Sequence, residues 1–343
     1  MPFPILRTPF VVLSEIISIL EPSEIVTASF CSKNVNRLLK RHYQQRKPLE
    51  WKLVLDYHCW GEVYIITKQQ PDDLRKNQRK PVLLIRHISQ ARHESEHKLI
   101  ETNEYKRGFT SKLPVLYFED QVMGSKMIVD YASDLFNLDI YGLVIDRDCI
   151  WAIDWINNRQ EKMLVYFNFM KNKCNCNGDE AMDNVLRKAL ASDYIILKDI
   201  VSDTYRFDGK LGPAGLLFIE SYGHWVTLDN LINFDFIEIM IDESRLSVSD
   251  LNSFLRHWRA GGLPRLAFLA LKCKTSTIFE NFDEDLQAVE TDEVVQYRLS
   301  YGKKLVFRNG YSIQRMDGVK ATIKGYIGFF LMAVWHERAV DSA

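Results

Sequence analysis

The sequence predicts an α+β protein of mixed α/β character, with a three-helix N-terminal segment followed by a larger domain in which strand–helix units are flanked by β-strands. Apolar residues between helix-capping residues predict the helices, alternating helices and strongly apolar runs predict the central units, and short apolar runs on both sides predict the flanking strands. We expect a first domain at 1–47 and a second at 48–340, divided into parts at 49–135, 136–275 and 276–340.

Three short helices are predicted before residue 47. Thr8 is a suitable N-cap and Pro9 suits the first turn of helix one. The apolar positions of that helix recur at spacings of three and four residues, at Val12, Leu13, Ile16, Ile17 and Leu20. Pro22 ends it and opens helix two, and Ser32 caps helix three. In helix three we expect Val35, Leu38 and Leu39 to face inward and Lys33, Arg37, Lys40 and Arg41 to face water.

A helical segment this short buries too little of its own surface to be stable alone. Its apolar face must therefore meet either a partner protein or the rest of the chain. The first possibility makes residues 48–340 a separate recognition domain, and the second makes the helices an ordinary lobe packed on that domain.

The segment resembles an F-box. The matching residues are Pro9, Val12-Leu13, Ile16-Ile17, Leu20, Glu24-Ile25-Val26 and Ser29-Phe30-Cys31-Ser32-Lys33, in the order and spacing of that motif. Thr8, Val11 and Ala28 depart from its usual Leu, Glu and Leu. The resemblance implies docking on the SKP-family adaptor of an SCF-type (cullin-RING) ubiquitin ligase, and through it on a cullin. The implied adaptor contacts are Pro9, Leu13, Ile16, Leu20, Ile25 and Val26.

Charge and composition limit the kinds of partner. The F-box-like segment is basic, whereas the whole chain has a formal net charge of −1. Basic residues on an amphipathic helix suit a solvated face or the steering of an acidic partner, and the adaptor of this family is acidic. Balanced overall charge gives no reason to expect a nucleic-acid or membrane partner. Six scattered cysteines and an N-terminus unlike a signal peptide lead us to expect a soluble protein of the cytoplasm or nucleus.

The part at 49–135 is predicted to form mainly strands. Runs rich in Val, Ile, Leu, Tyr and Phe predict strands at 51–55, 62–67, 82–87, 115–118 and 127–131. Residues 69–80 are a polar loop, and 93–112 suit either a loop or a helix.

The middle of the chain alternates strands with helices. Apolar strands are predicted at 194–197, 216–219, 236–241 and 266–271, with helices at 183–190 and 228–232. The clearest helix follows Ser247 or Ser249, carries Leu251, Phe254, Leu255 and Trp258 on one face, and stops at Gly261-Gly262. This alternation indicates a parallel sheet covered by helices, and the strand spacing is typical of leucine-rich-repeat-like units.

Strands return after Cys273, at 294–299, 305–308, 311–315, 321–323 and 327–335, with a turn at Asp317-Gly318. We expect them to close one end of the central sheet. The stretches 223–231, 251–258, 264–269 and 314–323 resemble the type 2 F-box-associated region of a family expanded in nematodes. The resemblance implies a non-catalytic subunit that recognises substrates for a ubiquitin ligase and needs no cofactor.

Four other interpretations bear on function. A ligase-independent interaction scaffold is the main alternative, and a zinc metallohydrolase using His93, Glu94 and His97 is a distant one, because that literal H-E-x-x-H lies in an almost wholly polar stretch. Cys174 and Cys176 lack a second pair at metal-site spacing and suit a surface loop.

Glu238 and Met240 alternate with isoleucines along one strand, so we expect them on an open sheet face where a target binds.

Overall fold

The computed structural model describes residues 9–46, 50–58, 61–66, 79–92, 100–101, 106–109, 113–174, 176–273 and 282–335. These residues fall into two units. The first extends to Val144 and the second begins at Ile145.

The first unit opens with the three predicted helices, α1 (Phe10–Ile19), α2 (Pro22–Cys31) and α3 (Lys33–Gln45). Pro22 is the first residue of α2, where Glu21 and Glu24 form a reciprocal capping box. The Ser32 hydroxyl accepts a hydrogen bond from the Val35 amide and caps α3, as predicted. The predicted cap Thr8 lies outside the described residues, and Pro9 precedes α1.

Seven strands complete the sheet of the first unit. Their spatial order is β7-β1-β2-β3-β6-β5-β4, with β1 parallel to β7 and β3 parallel to β6. The strands are β1 (Lys52–Asp56), β2 (Glu62–Ile66), β3 (Arg79–His87), β4 (Ile100–Glu101), β5 (Lys106–Phe109), β6 (Pro114–Phe118) and β7 (Ile140–Ile145). Four of the five strands predicted for this part are present.

The fifth, predicted at 127–131, is wrong, because those residues lie inside helix α4 (Gln121–Phe136). The Asp120 carboxylate caps α4 by accepting from the Met123 amide at 3.0 Å. The buried residues of α4 recur at helical spacing, at Gly124, Ser125, Ile128, Val129, Ala132, Leu135 and Phe136. Two adjacent β-branched residues suggested a strand, because the window 127–131 is too short to show the helical periodicity.

Helices α2 and α3 lie against α4 through Tyr131. Its hydroxyl lies 2.6 Å from the Ser29 hydroxyl and accepts a hydrogen bond from Asn36 Nδ2 at 2.8 Å. The ring of Phe30 stacks on the Tyr131 ring with centroids 4.9 Å apart. Nearby, Lys40 of α3 forms an ion pair with Asp134 of α4.

A second contact anchors the end of α3. The rings of Tyr43, Trp51 and Phe136 meet pairwise with centroid separations of 5.4 to 5.8 Å. Such aromatic contacts add to the free energy gained from burial. The three helices therefore share one compact unit with the residues up to Val144, and the domain boundary expected after residue 47 stays a prediction.

Among the described residues the second unit contains five neighbouring parallel strands, where the alternating pattern predicts four. They are β8 (Leu164–Phe169), β9 (Ala191–Leu197), β10 (Leu211–Ile219), β11 (Phe234–Ser244) and β12 (Phe268–Cys273). Their helices are α5 (Trp151–Arg159), α6 (Asp179–Lys188), α7 (Leu228–Asn233) and α8 (Val248–Arg259). Helix α5 and strand β8 had not been predicted. The stretch 198–210 between β9 and β10 has no α-helix, so the units are unequal, and their leucine-rich-repeat likeness stays a prediction.

Helix α8 confirms its sequence signature closely. Ser247 and Asp250 form a capping box, and Leu251, Phe254 and Trp258 are each at most 2% exposed. After α8 the chain turns at Gly261, whose φ is 100°.

The C-terminal part has six strands among the described residues, four of which extend the same sheet at the β12 end, as predicted. They are β13 (Val289–Thr291), β14 (Val295–Arg298), β15 (Lys304–Phe307), β16 (Gly310–Gln314), β17 (Lys320–Tyr326) and β18 (Phe329–Trp335). Strand β18 pairs with β12 and is followed outward by β17, β16 and β13, all antiparallel. Strands β14 and β15 form a separate hairpin. No helix among the described residues has both the length and the apolar composition that a bilayer crossing needs.

We predict that Tyr131→Phe destabilises the chain by about 1–2 kcal/mol, because it removes the hydroxyl that joins α4 to Ser29 and Asn36. Urea unfolding of the full chain measures the loss. Tyr222→Phe is the matched control, since the Tyr222 hydroxyl makes no hydrogen bond with a described residue. Equal stabilities for the two variants would contradict this role of Tyr131.

Candidate protein-docking surfaces

Helix α1 has an inner face that the first unit already buries. Leu13 and Ile17 are each 3% exposed, and Ser14 is 2% exposed. The guanidinium of Arg46, just after α3, donates a hydrogen bond to the Ser14 hydroxyl at 2.5 Å. This bond ties α1 to the far end of α3.

The opposite face of α1 is apolar and exposed. Val12 is 49% exposed, Ile19 is 80% exposed, and Ile16 between them is partly exposed. Their spacing of i, i+4 and i+7 places the three on one side of the helix. We call this set the outer α1 stripe. Val11, 72% exposed, lies beside it. Contiguous exposed apolar residues of this kind mark protein-contact surfaces.

The structure divides the predicted adaptor contacts into two groups. Pro9 is exposed, and Ile16 and Leu20 are partly exposed. Leu13, Ile25 and Val26 are 3%, 0% and 1% exposed because they pack within their own unit, and their role as adaptor contacts stays a prediction.

The sequence pattern merged two helical faces into one stripe. Leu13 and Ile17 share the inner face, whereas Val12, Ile16 and Ile19 share the outer one. Ile19 was missed entirely. A helical wheel separates the two sets by angle, but nothing in the sequence says which set the chain itself covers.

Helix α3 presents a basic surface. Arg37, Leu38, Arg41 and Gln45 line an open groove of about 510 Å³. Lys33, Arg37 and Arg41 are exposed, as predicted, and make no ion pair with another described residue. Of the residues expected to face inward, Leu39 is buried, while Val35 and Leu38 are only partly so. Three unpaired cations on one helix favour an acidic partner.

His42 does not add to this positive surface. Its side chain is buried on the opposite side of α3. Burial lowers the pKa of His42, and the nearby charge of Arg46 lowers it further. The imidazole is therefore neutral near pH 7.

The predicted target site on β11 is covered. Glu238 is 2% exposed, and its carboxylate accepts hydrogen bonds from the Tyr297 hydroxyl at 3.1 Å and from the Ser300 amide and hydroxyl, each at 2.8 Å. Met240 packs against Phe268 beneath the β14–β15 hairpin. The expectation that Glu238 and Met240 lie on an open sheet face is wrong, because residues about sixty positions later fold over them.

A polar cluster follows the carboxyl ends of β8 and β9. The Arg147 Nη2 donates to Asp199 Oδ1 at 2.9 Å, and the amides of Asn172 and Ile200 donate to the same oxygen. Asp199 is 1% exposed, so this ion pair is largely removed from water. The donors Arg147, Asn172 and Ile200 all lie in connecting segments of the same unit, so the cluster anchors these segments to Asp199.

The predicted metal and catalytic candidates gain no support. Cys174 and Cys176 are exposed, as expected of a surface loop. Among the described residues, no group of three or more His, Cys, Asp and Glu side chains is placed to hold a metal ion. His93, Glu94 and His97 lie outside the described residues. Trp225 and Trp258, at 1% and 0% exposed, are core residues.

Comparisons with known proteins find two family matches. A family model described as "F-box domain" matches residues 9–46, which are α1, α2 and α3. A model described as "F-box associated" matches residues 215–271, which run from within β10 to within β12. Neither a curated protein nor a solved structure matches the chain. The two matches confirm the resemblances read from the sequence.

We predict that Glu238→Gln alters the pH dependence of stability. Burial raises the pKa of Glu238 above its usual 4.5, although Ser300 and Tyr297 oppose the shift by donating hydrogen bonds. The folded chain therefore holds this proton to higher pH than the unfolded chain. The contribution of Glu238 to stability is largest below pH 4.5 and is lost as the pH rises through the folded-state pKa.

Urea midpoints of the two proteins, measured from pH 4.5 upward, test this sign. As the pH rises, the urea midpoint of the Glu238→Gln variant should increase relative to that of the natural chain. Parallel curves over that range would show that Glu238 does not titrate with a raised pKa.

Proposed function

We propose that this chain is the substrate-recognition subunit of an SCF-type (cullin-RING) ubiquitin ligase. The observation that carries the proposal is the outer α1 stripe, an exposed apolar face on an F-box domain whose inner face its own unit already buries. The chain itself performs no chemistry in this role. It holds a target near the ubiquitin carrier, so that target lysines react at a raised effective concentration.

The adaptor contact is proposed on the exposed members of the first helix. Pro9, Ile16 and Leu20 are retained from the sequence analysis, and Val12 and Ile19 join them. A partner face laid on these residues gains about 25 cal/mol for each Å² of apolar surface removed from water.

The basic surface of α3 supports an acidic partner. Arg37 and Arg41 flank Leu38 in an open groove, so the surface combines charge with an apolar contact. Charges of this kind raise the rate of encounter with an oppositely charged protein and disfavour wrong partners. The SKP-family adaptor implied by the F-box is acidic, and a cullin joins the assembly through it.

The second unit is proposed to bind the target. It contains the F-box-associated match, and its unequal strand–helix units are the part with leucine-rich-repeat-like spacing. The cytoplasm and nucleus are the compartments in which ligases of this kind act, and we place the chain there.

A ligase-independent scaffold is the second candidate. Its support is the packing of α2 and α3 on α4 through Tyr131, because helices folded onto their own chain need no partner for stability. The two functions differ in what the outer α1 stripe does. A scaffold leaves it free, whereas a ligase subunit covers it with the adaptor.

We predict that Val12→Asp combined with Ile19→Asp reduces recovery of the adaptor in a pull-down by at least about tenfold, since each change introduces a charge into an apolar contact. Both side chains are exposed, so the variant should fold normally. Met316→Asp is the matched control, because Met316 is 83% exposed and lies in the second unit.

Circular dichroism and the urea midpoint verify that both variants fold like the natural chain. If the folded double variant recovers as much adaptor as Met316→Asp does, the proposed contact is wrong. If the natural chain recovers none, the scaffold function replaces the ligase function.

A further inference from the structure

The β14–β15 hairpin has one covered face and one open face. Tyr297, Leu299 and Phe307 turn inward, where they pack on Phe268 and neighbouring residues of the sheet. The alternate residues Gln296, Arg298, Lys304 and Val306 are exposed, with Val306 at 49%. The alternation is that of a ribbon lying on a core.

The hydrogen-bonding pattern of the hairpin leaves N–H and C=O groups on one edge of β15 without a partner among the described residues. The Leu299 amide donates to the Lys303 carbonyl at 2.9 Å, and Tyr297 stands opposite Leu305 in the same register. Hydrogen-bonded and non-hydrogen-bonded pairs alternate along an antiparallel ladder. The N–H and C=O groups of Lys304 and Val306 therefore point away from β14. Among the described residues β15 pairs with β14 alone.

A groove runs along this open edge. Its volume is about 380 Å³, and its lining contains three consecutive β15 residues together with two from β17 and β18: Leu305, Val306, Phe307, Lys324 and Leu331. No described residue of β14 lines it. The groove therefore follows the unpaired side of β15, where an added strand has both backbone partners and an apolar floor.

The surroundings of the groove are basic. Lys303 and Lys304 are exposed at one end of β15, and Arg308 is exposed directly after the other end. Lys324 is partly exposed, and its ammonium donates to the Arg308 carbonyl at 3.0 Å. None of the four makes an ion pair with a described residue, and no described acidic residue lines the groove.

We propose that this groove binds an extended acidic segment of the target, which adds to β15 as a further strand. Apolar side chains of that segment pack on Leu305 and Leu331, and its carboxylates meet Lys304 at one end and Arg308 at the other. This proposal rests on the proposed function, because it specifies the kind of target that the second unit binds. The strand edge and apolar floor favour a peptide over a nucleic acid, which needs phosphate contacts and exposed stacking rings.

Fluorescence polarisation with the full chain tests the groove with a short labelled peptide that alternates glutamate and valine. Val306→Pro removes one outward N–H without touching a hydrogen bond to β14, and should weaken binding about tenfold. Gln296→Pro is the matched control, because Gln296 stands opposite Val306 and its N–H points to the other edge of the hairpin. It should bind like the natural chain.

Charge reversal gives an independent readout. Lys304→Glu combined with Arg308→Glu should lose the glutamate peptide and gain affinity for a peptide that alternates lysine and valine. Lys171→Glu combined with Lys210→Glu changes the net charge equally on exposed residues outside the groove, and should leave both affinities unchanged.

Three results would overturn the proposal: no binding of the glutamate peptide to the natural chain, equal weakening by Val306→Pro and Gln296→Pro, or tighter binding of an oligothymidylate than of the peptide. Adaptor recovery is measured on the same preparations. Loss of peptide binding with adaptor recovery intact defeats only the groove, whereas peptide binding without adaptor recovery defeats the ligase function.

Discussion

The contact between α3 and α4 is the interaction on which the account of this chain depends. Tyr131 joins two helices of the F-box domain through its hydroxyl and its ring, and the Tyr43–Trp51–Phe136 aromatic cluster fixes the end of α3. These contacts bury one side of the three-helix segment and stabilise it within its own chain. The outer α1 stripe is exposed whereas the inner face of α1 packs within its own unit, so folding and the proposed docking use different faces of one helix.

In the second unit, too, one surface is buried by folding while a neighbouring one stays exposed. Glu238 lies on β11 between β10 and β12, and three donors from Tyr297 and Ser300 satisfy its carboxylate. A buried carboxylate without such donors is costly, so this network specifies where the hairpin lies. The inner face of the hairpin packs on the sheet, and one edge of β15 pairs with β14. The other edge of β15 lies beside an apolar, basic groove. The surface suited to a target thus arises from the same packing that covers the site expected from the sequence.

Local signals in the sequence predicted much of the fold. Caps at Ser32 and Ser247 marked helix starts, and continuous apolar runs marked the central parallel strands. The strand predicted at 127–131 failed because a short β-branched run does not distinguish a strand from a buried helix. The site was harder to predict. Burial of Leu13 and of Glu238 depends on residues far away in the chain, and no local pattern reports which face distant residues cover.

Hydrogen exchange of the full chain, alone and with the SKP-family adaptor, tests most directly whether the F-box domain is folded on its own chain while its outer face stays open. The account predicts that amides of α2 and α3 are protected in the chain alone, because Tyr131 and the aromatic cluster hold these helices in place, and that the adaptor adds protection mainly to α1. Rapid exchange throughout α2 and α3 until the adaptor is added would contradict it, since the segment would then fold only on its partner.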